Sequence, residues 1–299
     1  MMKNILILTD FSDNATHAAK WAAILNERLQ GDIMLYNSFY NHPVTPTYAG
    51  GSLIVEELIL RREESLTKLE HLSTQLKHIA ETRSDGCNKP KIDFKNGKGR
   101  IGETISAILY EKNIAFIIMG ASLSSGVAHT FFGYDTMEVI NHADCPVIII
   151  PQSADLKMVK KLTVATGFEI ADINAIDHLV KLAGQLSLEL EIVHVSLFGR
   201  KEDMTRQTAF RTHLSYLEAA NVTYKEVKGK NAIGRLNKLC KKNGSDMLAL
   251  VHYEHGFLQD LFNKSNTKQA LSHQHLPLLI IPYKMKSNEK NQLSTKKLF

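Results

Sequence analysis

The sequence carries the same order of motifs twice, and this internal duplication constrains the fold more than any single segment does. In the first half, the apolar run Ile5–Leu8 is followed by Thr-Asp-Phe-Ser and an alanine-rich helical pattern. In the second half, Leu162–Ala165 is followed by Thr-Gly-Phe-Glu and another helical pattern. Both halves end on an aliphatic run and a proline, at Val147–Pro151 and Leu278–Pro282. A repeat on this scale predicts two similar domains.

Short apolar runs alternate with longer amphipathic segments in both halves, which is typical of βαβ units and a parallel sheet. The strands predicted in the first half are Lys3–Leu8, Asp32–Asn37, Lys91–Lys95, Ala115–Gly120 and Pro146–Ile150, and the helices are Asn14–Leu29, Val55–Ala80, Ile101–Lys112 and Tyr134–His142. The strands predicted in the second half are Lys161–Thr166, Glu189–Val195, Thr223–Val227, Asp246–His252 and Leu278–Ile281, and the helices are Ala171–Leu186, Lys201–Ala220, Ile233–Lys242 and Thr267–His273. The predicted fold class is therefore α/β, with two tandem doubly wound domains that each contain a five-stranded parallel sheet flanked by helices. We expect these domains at residues 1–152 and 158–283, followed by a basic, disordered tail at 284–299.

Composition agrees with this organisation and narrows the class of protein. A chain of 299 residues has room for two cores of ordinary size. The net charge of +5 is mild and lies largely in the tail, which argues against a nucleic-acid-binding protein. Three widely spaced cysteines without a C-x-x-C motif favour reduced thiols. No apolar run approaches the ~20 residues that span a bilayer. The expected location is the cytoplasm, with no membrane association.

In the first half, several residues that could contact a ligand lie just after the predicted strands. Doubly wound sheets bind ligands there, beyond the carboxyl ends of the strands. Asp10 follows the first strand, where it either contacts a ribose hydroxyl or a divalent cation, or supports the turn into the helix. Gly120 ends the fourth strand and leaves room for close approach of a ligand. The run Gly133–Thr136 opens the last helix, whose free N–H groups and dipole favour a phosphate.

Over about residues 1–283, the chain resembles the tandem form of the universal stress protein family. The resemblance rests on the opening motif I-L-x-x-T-D-F-S and the closing motif H-A-D-C-P-V-I-I-I-P, taken together. It implies a Rossmann-like fold of the adenine nucleotide alpha hydrolase-like type, with the two halves packed as a pseudo-dimer through their last strands. It also implies ATP or another adenine nucleotide as ligand, with or without Mg²⁺, and a role in stress response without catalysis.

Nucleotide-binding members of the family carry G-x2-G-x9-G-(S/T) after the fourth strand. The first half keeps the first and third glycines, but Leu123 replaces the second glycine and Tyr134 replaces the Ser or Thr, with Thr136 as a partial substitute. Asn37 falls where the family has a small apolar residue beside the adenine. The contact residues that the resemblance implies are Thr9, Asp10, Asn37, Met119, Gly120, Gly133, Tyr134, Asp135 and Thr136.

The second half departs much further from the family pattern. Gly167 replaces the early Asp, and the three glycine positions and the Ser/Thr position are occupied by His252, His255, Ser265 and Asn266. We therefore expect no ATP binding of the usual kind there. Two interpretations of His252 and His255 stay open: they fill the vacated site by packing, or they bind a metal such as zinc.

Two further functions stay open beside nucleotide binding. Leu123 and Tyr134 favour an interaction protein in which both sites are closed and function resides in surfaces for unknown protein partners. Slow ATP hydrolysis is the other, although the sequence offers no general base and no activated nucleophile. Homodimerisation of the whole chain also stays open.

Overall fold

The computed structural model describes residues 4–39, 51–83, 89–121, 134–199, 203–217, 221–252 and 275–285, without the side chains of 51–54 and 134. The strands are β1 (Asn4–Leu8), β2 (Ile33–Ser38), β3 (Ile92–Gly97), β4 (Ile114–Gly120), β5 (Val147–Ile150), β6 (Lys161–Thr166), β7 (Glu189–Leu197), β8 (Val222–Gly229), β9 (Met247–His252) and β10 (Leu278–Pro282). The helices are α1 (Asp13–Leu29), α2 (Gly51–Arg83), α3 (Ile101–Glu111), α4 (Tyr134–His142), α5 (Ile170–Gln185), α6 (Met204–Ser215) and α7 (Ala232–Asn243).

All described strands form one sheet in the order β3-β2-β1-β4-β5-β10-β9-β6-β7-β8. Strands within each half run parallel, and the strand order reverses beside β1 and beside β6. The halves join where β5 and β10 pair antiparallel, with Ile148 opposite Leu279. This confirms the expected pairing of the two last strands and the pseudo-dimer that it creates.

The core lies on both faces of the sheet because successive strand residues point to opposite sides. On one face, Ile5 and Ile7 pack with Trp21 of α1 and with Leu69 of α2. On the other face, Leu6 and Leu8 pack with the buried residues of α3 and α4. Helices therefore cover both faces, as the doubly wound class requires.

The linker region is fixed to helix α1 by polar contacts. Arg28 Nη1 donates to the carbonyl oxygens of Val159 and Leu186 over 3.1 and 2.7 Å. His17 Nε2 lies 2.8 Å from the carbonyl oxygen of Ala154. These bonds orient the second half on the first half in addition to the strand pairing.

The largest differences between predicted and observed helix bounds are at α6 and α2. Helix α6 begins at Met204, not Lys201, because the Asp203 side chain caps it by accepting from the N–H groups of Thr205 and Arg206. Helix α2 runs from Gly51 to Arg83 and is longer at both ends than the predicted Val55–Ala80. The helix predicted at Thr267–His273 lies outside the described residues. No helix in the described part of the chain is long and apolar enough to cross a membrane.

Candidate functional site

The loop from β1 to α1 places Asp10 at the carboxyl edge of the sheet. Ser12 donates to Asp10 Oδ1 from its N–H over 3.0 Å and from its hydroxyl over 2.6 Å. Ser12 in turn caps α1 by accepting from the N–H of Ala15. Phe11 has a φ of 64°, which turns the chain sharply at this point. The exposed Asp10 carboxylate thus supports the turn with one oxygen, while Oδ2 accepts no hydrogen bond from the described residues.

Asn37 is part of the scaffold beneath this loop. Its Nδ2 donates to the carbonyl oxygen of Thr9 over 2.7 Å, and its Oδ1 accepts from Ser65 Oγ of α2 over 2.7 Å. The side chain is buried. Because both ends of the amide have protein partners, Asn37 ties β1, β2 and α2 together at the expected adenine side of the site.

Gly120 has a structural reason to be glycine at the end of β4. A Cβ there would lie 2.9 Å from both the carbonyl carbon and the carbonyl oxygen of Asn14, and 3.0 Å from the N atom of Ala15. The Asn14 side chain also donates to the carbonyl oxygen of Ala121. The first turn of α1 is therefore clamped against β4. The preceding Met119 side chain is buried in the core, so only its backbone reaches the edge.

The first turn of α4 brings a second carboxylate to the same edge. Partial desolvation, and then the negative charges of Asp10 and Glu138, raise the pKa of Asp135. The charge of Asp10, in the loop after β1, therefore acts on Asp135, in the first turn of α4. Thr136 is fully buried, and its hydroxyl has no hydrogen-bond partner in the described part of the chain. Gly133 and the side chain of Tyr134 lie outside the described residues.

The corresponding loop of the second half has the same backbone and a different occupant. Phe168 repeats the positive φ of Phe11, at 65°. Asp172 of α5 turns its carboxylate into the loop, where Oδ2 accepts from the N–H groups of Gly167 and Glu169 over 2.8 and 3.1 Å. The same oxygen accepts from Thr166 Oγ1 over 2.9 Å. The backbone N–H groups of Gly167 and Glu169 and the hydroxyl of Thr166 thus all donate to a side chain of the same domain.

Aromatic packing completes the closure of the second half. His194 pairs with Thr166 in the sheet. Its Nδ1 lies 2.9 Å from the carbonyl oxygen of Thr166, as Asn37 Nδ2 lies 2.7 Å from the carbonyl oxygen of Thr9. The Phe168 ring stacks on His194, with ring centroids 3.9 Å apart and planes 23° from parallel. The Phe210 ring also contacts Phe168, with ring centroids 5.3 Å apart and planes tilted by 58°. Rings therefore occupy the place that corresponds to the expected adenine side of the first half.

One of the two interpretations of His252 and His255, that they fill this site by packing, stays a prediction. The sequence did not single out Asp172, His194 and Phe168. His252 is half-buried at the end of β9, and His255 lies outside the described residues. Among the described residues, no group of three or more His, Cys, Asp or Glu side chains could hold a metal ion. Superposing the two halves strand by strand would have found His194, because it occupies the position of Asn37.

The fold and this edge define a class of protein: a tandem, doubly wound α/β protein in which the loop after the first strand carries the exposed Asp10 in one half, while the corresponding loop of the other half is hydrogen-bonded to Asp172. The profile of the universal stress protein family matches residues 1–151, which is half of the chain. The chain belongs to the universal stress protein family.

Known relatives agree with this assignment. A protein of Thermus aquaticus, named as the universal stress protein in the QAH/OAS sulfhydrylase 3′ region, is 27% identical over 150 residues, which is 50% of this chain and 99% of the relative. A universal stress protein from Archaeoglobus fulgidus has the same fold, with a TM-score of 0.63, 17% identity and coverage of 93% of this chain and 96% of its own. A protein of unknown function from Pseudomonas aeruginosa PAO1 matches with a TM-score of 0.53, 12% identity and coverage of 95% and 93%.

Proposed function

We propose that this chain is a cytoplasmic, non-catalytic stress-response protein that binds an adenine nucleotide with Mg²⁺ in its first half. The observation that carries the proposal is the placement of two carboxylates at the ends of neighbouring elements, Asp10 in the loop after β1 and Asp135 in the first turn of α4, where desolvation and the charge of Asp10 raise the pKa of Asp135. Two carboxylates repel a polyphosphate but bind a hard divalent cation, so they suit a nucleotide only when Mg²⁺ lies between. The free N–H groups at the start of α4 supply the complementary positive potential for phosphate.

The carboxylates of this edge suit a Mg²⁺ ion, whereas the side chain expected beside the base is already hydrogen-bonded. Asp10 offers an Oδ2 with no hydrogen-bond donor among the described residues, and Asp135 offers a carboxyl whose pKa is raised by desolvation and by the charges of Asp10 and Glu138. Asn37 is buried and each end of its amide already has one protein partner, so in this proposal the base is held mainly by packing and by backbone groups. The proposed contact residues are Thr9, Asp10, Asn37, Met119, Gly120, Gly133, Tyr134, Asp135 and Thr136.

The second half, which we place at residues 158–283 beside a first domain at 1–152, has a different role in this proposal. Asp172, His194 and Phe168 fill its edge, so it contributes the β5–β10 pairing and surface for protein partners. An interaction protein without any nucleotide is the second candidate function. The internal closure of the second half favours it, and it predicts that the first half is equally inert.

Calorimetry with ATP separates the two functions. With Mg²⁺ present, we expect the wild-type chain to bind ATP and Asp10→Asn to bind at least ~10-fold more weakly, since a charge-assisted contact is worth about 1.5–3 kcal/mol. Asparagine keeps the Oδ1 acceptor for Ser12, so the turn survives the substitution. Without Mg²⁺, the order reverses, because the substitution removes repulsion between carboxylate and phosphate.

The matched control is Asp93→Asn, which removes an exposed carboxylate at the opposite end of the first half's sheet. It leaves ATP affinity unchanged if the carboxyl edge is the site. No binding heat with ATP at about 5 mM, a concentration that detects even millimolar affinity, would establish the interaction protein instead.

A further inference from the structure

The loops after β1 and β6 hold a phenylalanine in the same backbone geometry. The N–H of Phe11 donates to Thr9 Oγ1 over 3.0 Å, and the N–H of Phe168 donates to Thr166 Oγ1 over 3.1 Å. Both phenylalanines have a positive φ, of 64° and 65°. Because the backbone restricts the direction in which a side chain leaves it, the surroundings of the two rings can be compared residue by residue.

In the second half, two other rings contact Phe168. His194 of β7 stacks on it, with ring centroids 3.9 Å apart and planes 23° from parallel. Phe210 of α6 lies at a centroid distance of 5.3 Å. With these neighbours, Phe168 is only 6% exposed. Its ring is thus enclosed by protein groups, one of which is a flat heteroaromatic ring in nearly parallel contact.

In the first half, the contact from the second helix has a counterpart. Lys68 of α2 places its Nζ 5.6 Å from the centroid of the Phe11 ring, close to the 5.3 Å that separate the rings of Phe210 and Phe168. Lys68 also pairs with Glu64, one turn earlier on the helix, at 2.6 Å. Helix α2 therefore covers Phe11 with a cation, where α6 covers Phe168 with a ring.

The stacked ring has no counterpart in the described part of the first half. Asn37 takes the place of His194, because each contacts the carbonyl oxygen of the threonine that precedes its loop. The amide of Asn37 is not an aromatic ring, and among the described residues no aromatic side chain pairs with Phe11. Phe11 is half-buried, whereas Phe168 is buried. The Phe11 ring thus lacks the flat partner that the second half provides.

A purine base has the shape and chemistry of the missing partner. The imidazole of His194 is the same five-membered ring that a purine contains, fused in the purine to a second flat ring. Bases of every kind stack on aromatic side chains, and the larger purines stack more strongly. Phe11 directly follows Asp10, the carboxylate of the proposed nucleotide site. A base on Phe11 and a metal-bound phosphate or a ribose at Asp10 can therefore belong to one ligand.

We propose that Phe11 stacks on the base of a purine nucleotide in the first half, and that His194 is the built-in substitute for this base in the second half. The inference rests on the proposed function and adds a residue outside the nine expected contacts. It assigns the preference among bases to the Phe11 ring, whereas Asp10 and Asp135 act on the metal and the phosphates. The two roles can therefore be tested separately.

Calorimetry of the full chain with ATP and with UTP, both with Mg²⁺, isolates the base, because the two triphosphates are otherwise the same. We expect the wild type to bind ATP at least ~5-fold more tightly than UTP. Phe11→Leu keeps an apolar side chain against the core and loses the ring. It weakens ATP binding about 5- to 150-fold and reduces the preference over UTP to less than ~2-fold. Asn37→His supplies the imidazole of the second half, which takes the place of the base and weakens ATP binding at least ~10-fold.

Phe94→Leu is the matched control, since it removes a ring of the first half that is 37% exposed on β3. It leaves both affinities unchanged, and thermal midpoints well above the assay temperature show that every variant is folded. A wild type that binds no ATP refutes the proposed function and this inference with it. A wild type that binds ATP, beside a Phe11→Leu variant with the same affinity and the same preference over UTP, overturns only the role of Phe11. So does an Asn37→His variant that binds ATP like the wild type.

Discussion

Replacing Gly120 by alanine tests why a glycine ends β4. The new Cβ would lie 2.9–3.0 Å from backbone atoms of Asn14 and Ala15, which is closer than real Cβ contacts come. Those atoms belong to the first turn of α1, which is clamped by the Asn14 side chain, so a whole helix end has to move. Overpacking of this kind costs about 1–3 kcal/mol. For a protein of this size we expect a fall in thermal midpoint of about 2–10 °C.

The control is Gly184→Ala, near the end of α5. No heavy atom lies within 4 Å of the added Cβ at that exposed position, so the substitution adds only helix propensity. Its expected effect is a stabilisation of up to ~1 kcal/mol. Urea unfolding of both variants without nucleotide gives the comparison. If Gly120→Ala unfolds like the wild type and only loses ATP affinity, the glycine serves the ligand alone and the close approach of α1 is refuted.

Three further predictions concern the second half. Asp172→Ala introduces the alanine that the first half has at the equivalent helix position, Ala15, and leaves three donors without their shared acceptor. We expect the free energy of unfolding in urea titrations to fall by about 2–5 kcal/mol. A loss below ~0.5 kcal/mol contradicts the internal closure. Burial opposes ionisation of Glu191, but hydrogen bonds from Lys225 and Asn243 and the charge of Lys161 outweigh it and lower the pKa of this carboxyl. Its ionised form therefore stabilises the fold above the pKa of an unfolded Glu, so Glu191→Gln costs about 2–4 kcal/mol at pH 7 and the cost shrinks below about pH 4, whereas a cost that is constant from pH 7 to pH 3 refutes this origin. His194→Asn keeps a donor to Thr166 as in the first half and loses the stack on Phe168, for about 0.5–1.5 kcal/mol, and His194→Leu costs more because it also loses the donor; equal costs would show that the hydrogen bond contributes nothing.

Much of the fold was predictable because periodicity and duplication are local and repeated signals. Helix α4 begins and ends where the pattern placed it, and so does strand β6. The β5–β10 pairing was implied by the resemblance to tandem universal stress proteins, and the two aliphatic strands suit it because each would otherwise leave an unprotected edge. The predicted helix bounds were wrong where a capping side chain sets the end of the helix, as Asp203 does for α6.

The candidate site was less predictable, because the roles of its residues depend on contacts with residues that are distant in the sequence. Asp10 could be singled out from its place after β1, but its partnership with Asp135 joins residues far apart in sequence. Asp172 looks like an ordinary helix residue until the loop folds over it. Gly120 was expected to make room for a ligand, and the atoms that require it belong to α1. The sequence pattern identifies which residues lie at the carboxyl edge of the sheet, and the three-dimensional structure shows which residues they contact there.

The central claim is that only the first half binds a nucleotide, and the number of ATP molecules bound per chain tests it most directly. In calorimetric titrations with Mg²⁺, the account predicts one ATP per chain, lost or strongly weakened in Asp10→Asn and Asp135→Asn and retained in His194→Asn. Two ATP molecules per chain, or one that survives both first-half substitutions, would contradict it.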